Sequence, residues 1–343
     1  MLLRHVSDRT PGIRRHATRK RLAYFWPDGR RVRDRATLAR IRSLVIPPAW
    51  EDVWICPAAN GHIQAVGRDA RRRKQYRYHP RWIAERDAAK FERMAAFGSA
   101  LPRLRRQVEH DLRSLPLSRA RVLATVVRLL ERTLIRIGND EYARANNSYG
   151  LTTLRNRHVR VRGSRMQFKF RAKSGVLQQV ELDDPMLARS VKRLQELPGQ
   201  TLFQYLDPAG APQKIDSADV NEYLRDSAGN DFTAKDVRTW FGTVLAAMAL
   251  QRIARQGQNE RSSTARKKDV VAAIDQVKEA LGNTRAVCRR CYIHPAVLEA
   301  YFAAETIRPR HDQKAGGLTP DERAVLDLLR RWNTRNTRLP ISA

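Results

Sequence analysis

The spacing of apolar and polar positions changes character near residue 80. Before it, short apolar runs alternate with turn residues, a pattern of strands. Leu22-Ala-Tyr-Phe-Trp26 runs into Pro27-Asp28-Gly29, a turn triplet in which proline presets φ and glycine admits a positive one. The runs over 53–56 and 63–66 flank 57–61 and predict a hairpin. In Gln75-Tyr-Arg-Tyr-His79 the two-residue strand period puts Tyr76 and Tyr78 on one face and Arg77 on the other. One short helix over 37–44 ends before Pro47-Pro48.

From Trp82 onward apolar positions recur every three or four residues. Helices are predicted over 82–97, 103–113 and 118–137, the last with a stripe of Val122, Leu123, Val126, Val127, Leu130, Leu134 and Ile137. Three strands over 159–162, 166–170 and 176–182 interrupt them, with Gly163-Ser164 and Lys173-Ser174-Gly175 at the turns. Helices resume over 185–196, 217–226, 234–256, 264–281 and 319–333. Pro320 stands in the first turn of the last, where a missing N–H costs nothing. The expected fold class is α+β. A small antiparallel β-rich N-terminal domain (1–80) precedes a larger, mostly α-helical domain (81–343) with a three-stranded sheet.

Composition adds a partner to this picture. The 343 residues carry 66 Lys+Arg against 35 Asp+Glu, a net charge of +31. Self-repulsion of that size disfavours the compact state unless a polyanion answers it. Of the basic residues 54 are Arg, whose forked guanidinium matches phosphate oxygens in pairs, so nucleic acid is the expected partner. Charge is densest in residues 1–80, at +13, against +18 in the remaining 263. No run approaches the roughly 18 apolar residues of a membrane span, and no apolar signal segment follows Met1. Cys56, Cys288 and Cys291 are too few for a disulfide framework and fit a reducing compartment. The expected location is the cytoplasm, on the nucleoid.

Cys288-x-x-Cys291 with His294 is half a metal site lacking its second half, so two semi-buried thiols on a helix are expected instead. There is no GxxxxGK[ST] loop, no GxGxxG and no dense Asp/Glu/His cluster; no cofactor and no metal are expected. More informative are basic residues beside small polar ones. Arg136 ends an apolar helix, Lys173 sits on a hairpin turn, and Lys235 and Arg238 open a helix whose N–H groups favour an anion. Tyr292 follows a basic stretch. Singly, each is an ordinary surface charge or an ordinary tyrosine.

In this order they resemble the catalytic core of type IB DNA topoisomerases, in the poxvirus-like and bacterial branch. Ile135-Arg-Ile-Gly-Asn-Asp-Glu-Tyr-Ala-Arg-Ala-Asn-Asn-Ser-Tyr-Gly-Leu-Thr-Thr-Leu154 carries the likeness, with Lys235-Asp-Val-Arg-Thr239, Cys291-Tyr-Ile-His-Pro295 and Tyr76-Arg-Tyr78. The resemblance implies attack of a tyrosine on one strand of duplex DNA, a 3′-phosphotyrosyl link, relaxation of supercoils of either sign, and religation without ATP or metal.

By that resemblance Tyr292 is the nucleophile, and Arg136 and Arg238 bind the non-bridging oxygens as fixed cations. Lys173 protonates the leaving 5′-oxygen, and Lys235 supports it near the phosphate. Where a poxvirus-type enzyme has His, nine residues before the tyrosine, this chain has Asn283, a hydrogen-bond donor that cannot titrate. Tyr76, Tyr78, Arg71, Arg72, Arg73, Lys74 and Tyr142 are the candidate DNA contacts, in a monomer that clamps double-stranded DNA. The rivals are a tyrosine recombinase, which typically carries His-x-x-Arg where this chain has Lys235-x-x-Arg238, and a non-catalytic basic chromatin protein.

Overall fold

The computed structural model describes residues 2–17, 22–70, 72–113, 117–256, 262–309 and 317–337. The chain falls into two compact units, Met1–Ala89 and Lys90–Ala343.

In the first unit, β1 (Ile13–Ala17), β2 (Leu22–Phe25), β3 (Glu51–Ile55), β4 (Ile63–Arg68) and β5 (Lys74–Tyr78) form one antiparallel sheet, ordered β2-β1-β3-β4-β5. The predicted hairpin is β3–β4. β1 was not predicted, because Ile-Arg-Arg-His-Ala has no apolar alternation; it is a strand because β2 and β3 pair with its backbone from either side. Helix α1 (Arg35–Ser43) is capped by Asp34, which accepts from the Ala36 and Thr37 amides, and it buries Ile41. Ile41 joins Ile13, Val32, Val53, Ile55 and Ala65 in the core of this unit. β5 is one of the two edge strands of this sheet. Tyr76 and Tyr78 share one face with stacked rings, centroids 5.7 Å apart, while Arg77 packs 5.6 Å from the Trp50 ring on the other.

Helix α2 (Pro80–Arg113) replaces the two predicted helices with one, running through Pro102. An interior proline costs about 3 kcal/mol and crowds the carbonyl four residues back. That position is Gly98, where a Cβ would lie 2.3 Å from the Trp240 ring. Phe97, Leu101 and Leu104 are buried on both sides of the break, so burial of one continuous face keeps the helix intact.

The second unit continues with α3 (Arg119–Thr133), α4 (Asp140–Asn146), the strands β6 (Val159–Arg162), β7 (Arg165–Arg171) and β8 (Leu177–Asp183), and α5 (Pro185–Gln195). A small hairpin of β9 (Gln204–Leu206) and β10 (Pro212–Lys214) precedes α6 (Ser217–Ala228), α7 (Ala234–Gln256), α8 (Ser263–Leu281), α9 (Arg285–Cys291), α10 (Pro295–Phe302) and α11 (Pro320–Thr337). β6, β7 and β8 form the expected antiparallel three-stranded sheet. The fold is α+β, with helices dominating this unit.

Helix α3 stops four residues before the predicted end. Leu134 turns left-handed at φ 54°, and Ile135 and Ile137 stay buried beyond the helix end. The apolar stripe was real, but its last members sit beyond the helix, and that turn delivers Arg136. Among the described residues no helix is long and apolar enough to cross a membrane.

Candidate active site

Arg136 is fixed by its neighbours in the long motif. Its carbonyl accepts from the Leu151 amide at 2.8 Å, and the Ile137 carbonyl accepts from the Thr152 amide at 2.7 Å and the Thr152 hydroxyl at 3.0 Å. Gly150 passes so close that a Cβ there would stand 2.5 Å from the Arg136 carbonyl oxygen. The Tyr149 amide donates to the Arg171 carbonyl at 2.7 Å, tying the same clip to the end of β7, two residues before Lys173. The motif is therefore a clip that sets Arg136 and the Lys173 turn in register. Lys173 itself is exposed on the β7–β8 turn, which bends through left-handed Ser174 and Gly175.

Helix α7 brings the second arginine. Asp236 accepts from the Thr233 amide and hydroxyl, both at 2.8 Å, and so caps the helix start. Arg238 is 3% exposed. Its Nη2 donates to the Leu281 carbonyl at 2.9 Å, whereas Nε and Nη1 have no hydrogen-bond partner in the protein. Burial lowers this guanidinium to about 10, with Tyr292 pulling it back up and Arg136 pushing it down. A desolvated cation with two unanswered donors can bind an anion.

The end of α8 links the arginines. Arg136 donates to the Gly282 carbonyl at 3.1 Å and to Asn283 Oδ1. Asn283 thereby keeps its Nδ2 buried without a partner, a second donor available to an oxygen. Tyr292, half-buried, follows α9 as its cap, and its ring centroid lies 5.3 Å from the Arg238 guanidinium carbon. Arg136, Lys173, Asn283 and Tyr292 line one cleft of about 1120 Å³, with Arg238 buried beside the tyrosine.

Other candidates lie elsewhere. Lys235 is exposed on the first turn of α7, and Tyr142 is half-buried on α4; neither lines the cleft. In the first unit Tyr76 is 40% exposed and Arg72 is exposed. Arg73 pairs with Asp69 at 2.6 Å, and Lys74 with Asp8 at 2.7 Å, so part of the basic run already has carboxylate partners. Arg71 lies outside the described residues. Cys288 is buried and Cys291 half-buried on α9, while His294 Nδ1 accepts from the Ala296 amide at 3.1 Å to cap α10. Among the described residues no three His, Cys, Asp or Glu side chains gather as metal ligands.

Sequence reasoning missed the seat of the tyrosine. A Cβ on Gly242 would stand 2.7 Å from the Tyr292 carbonyl oxygen, so only glycine lets α7 approach the Tyr292 segment this closely. Thr243, next in line, places its hydroxyl 3.4 Å from that same carbonyl and accepts from the His294 amide at 3.1 Å. An isolated glycine in the middle of a helical run was the available signal.

Comparison with known proteins gives this geometry a family. Residues 73–314 match the family described as eukaryotic DNA topoisomerase I, catalytic core, and residues 21–69 match the bacterial DNA topoisomerase IB N-terminal domain. The DNA topoisomerase 1B of Acanthamoeba polyphaga mimivirus is 30% identical over 294 residues, covering 84% of this chain and 87% of that protein. The chain belongs to the type IB DNA topoisomerase family.

As a type IB topoisomerase it opens one strand of duplex DNA transiently and closes it again. The catalytic-core match contains the whole cleft, from the clip at Arg136 to Tyr292. The match to the bacterial N-terminal domain takes in β2, β3 and β4 of the antiparallel sheet, beginning after β1 and stopping before β5.

Proposed function

We propose that this topoisomerase acts as a monomer on double-stranded DNA in the cytoplasm, on the nucleoid, and cuts with Tyr292. Tyr292 Oη attacks the scissile phosphorus, a bond forms to the 3′-side phosphate, and the bond to the 5′-oxygen breaks. The phenolic proton goes to water, and Lys173 returns one to the leaving 5′-oxygen. Arg136, Arg238 and Asn283 hold the non-bridging oxygens as charge builds on them. Lys235, one turn before Arg238, assists from the rim of the phosphate path. The phosphotyrosyl bond keeps the energy of the broken phosphodiester, so religation needs neither ATP nor metal.

The observation that carries this reading is Arg238: buried, with Nε and Nη1 unanswered, and 5.3 Å from the Tyr292 ring. Both units engage phosphates, the first through Tyr76, Tyr78 and the exposed Arg72. The test is trapping of a covalent DNA adduct on a denaturing gel, followed by peptide mapping, with plasmid relaxation measured in EDTA without ATP. Tyr292→Phe is expected to abolish both adduct and relaxation while still binding duplex. An adduct mapped to any other tyrosine overturns the assignment. Tyr301 is an unsuitable substitute, since it is buried and its hydroxyl donates to Asp269 at 2.6 Å.

A further inference from the structure

Helix α9 has seven residues, too few to hold its own shape without tertiary support. Its last carbonyls lack partners within the helix, yet they decide where Tyr292 starts, because Tyr292 is the residue that ends it. The Cys288 carbonyl accepts from the Tyr292 amide at 2.9 Å and the Ile293 amide at 3.1 Å. The next carbonyls are held from outside. Lys90, on α2, reaches across with its Nζ 3.1 Å from the Cys291 carbonyl and 3.3 Å from the Arg290 carbonyl. The Thr239 and Thr243 hydroxyls lie 3.5 Å from the Cys291 carbonyl and 3.4 Å from the Tyr292 carbonyl. Lys90 alone among these donors carries a charge, and it sits at the negative end of the helix dipole.

We infer that Lys90 is a positioning residue for the nucleophile: its ammonium pins the last turn of α9 and so aims Tyr292 at the scissile phosphorus. This rests on Tyr292 being the nucleophile. Lys90 does not line the cleft, and its bonds to α9 are to main-chain carbonyls, so through α9 it acts on the placement of the phenol and not on the phosphate. A misplacement of about 1 Å lowers the rate of an oriented reaction by about 10²-fold.

Lys90→Met is therefore expected to slow single-turnover cleavage by about 10- to 100-fold while duplex affinity stays within about twofold. Religation slows in parallel, since both directions share one transition state, and the cleavage–religation equilibrium holds. Lys90→Arg, which keeps charge and donors, recovers most of the rate. A substrate with sulfur at the bridging 5′-position does not rescue Lys90→Met. Thermal melting monitors folding; if the methionine variant fails to fold, Lys90→Gln takes its place against the same outcomes. Cleavage at the unmodified rate, a loss of affinity that matches the loss of rate, or rescue by the sulfur substrate overturns the inference. Peptide mapping of the unmodified enzyme's adduct tests the nucleophile separately, so the two failures are distinguishable.

Discussion

The Arg238 guanidinium carbon lies 5.3 Å from the centre of the Tyr292 ring, and one of its nitrogens is committed to the Leu281 carbonyl. That bond fixes the fork and leaves Nε and Nη1 without a hydrogen-bond partner in the protein. A lysine has three N–H donors, but all on one nitrogen, so it cannot reach the Leu281 carbonyl and also fill the separate positions of Nε and Nη1. Arg238→Ala should lower single-turnover cleavage by about 10²–10³-fold, the usual cost of one lost donor to a developing oxyanion. Arg238→Lys should recover little of it. If the lysine variant cleaved within about threefold of the unmodified enzyme, charge alone would suffice and the fork geometry would be irrelevant.

Lys173 and Arg136 face the same cleft from different elements, and their proposed duties separate by substrate. Lys173→Ala should slow cleavage by about 10²–10⁴-fold, as for lost general acid catalysis. A bridging 5′-sulfur leaves without a proton, so on that substrate Lys173→Ala should cleave nearly as fast as the unmodified enzyme. Arg136→Ala should remain slow on both, because charge on the non-bridging oxygens develops either way. Equal defects of Lys173→Ala on oxygen and sulfur would make the lysine a phosphate-positioning group and send the search for the proton donor to Lys235.

The cleft was legible because its chemistry sits in short motifs whose order survives folding. Arg136, Lys173, Asn283 and Tyr292 meet there although 156 residue positions separate the first from the last. What the sequence hid was tertiary. Helices α9 and α10 are too short to show a period, and β1 is a strand only because two neighbours pair with it. Lys90 is a lone lysine in a helical run, with nothing local to link it to a tyrosine 202 positions away. In the basic run, Arg73 pairs with Asp69 and Lys74 with Asp8; the second partner lies 66 positions away and could not be read from the run itself.

Those pairings give an asymmetric expectation for DNA binding by the first unit. Arg72 is exposed, with its backbone bent to φ 57° and its amide bonded to the Asp69 carbonyl at 2.7 Å. Arg72→Gln should weaken duplex binding and flatten the log–log salt dependence by about one phosphate's worth, a slope change of about 0.9. Arg73→Gln should leave the slope alone and lower the melting temperature instead, because it removes the 2.6 Å pair with Asp69 that closes the turn. Salt titrations of both variants decide it. A slope change with Arg73→Gln and none with Arg72→Gln would reverse the assignment.

Stability should depend on two histidines that the fold keeps neutral at pH values where the unfolded chain charges them. Burial depresses His294 to about 4, with Lys90 adding to the effect, and depresses His158 to about 4, with Arg157 and Arg155 adding to it. Each uses Nδ1 as an acceptor, from the Ala296 amide and the Arg155 amide respectively, both at 3.1 Å, and protonation would destroy that acceptor. In the unfolded chain both titrate near 6.5. Between about 6.5 and about 4 the unfolded chain therefore binds protons that the fold excludes, and stability falls as pH falls through that window. Above about 6.5 their contribution is fully present. Melting temperature should drop between about pH 7 and about pH 5, and the slope should be shallower in His294→Asn, which keeps a capping acceptor that cannot titrate. An unchanged slope in that variant would mean that His294 is already protonated in the fold and that its cap is made some other way.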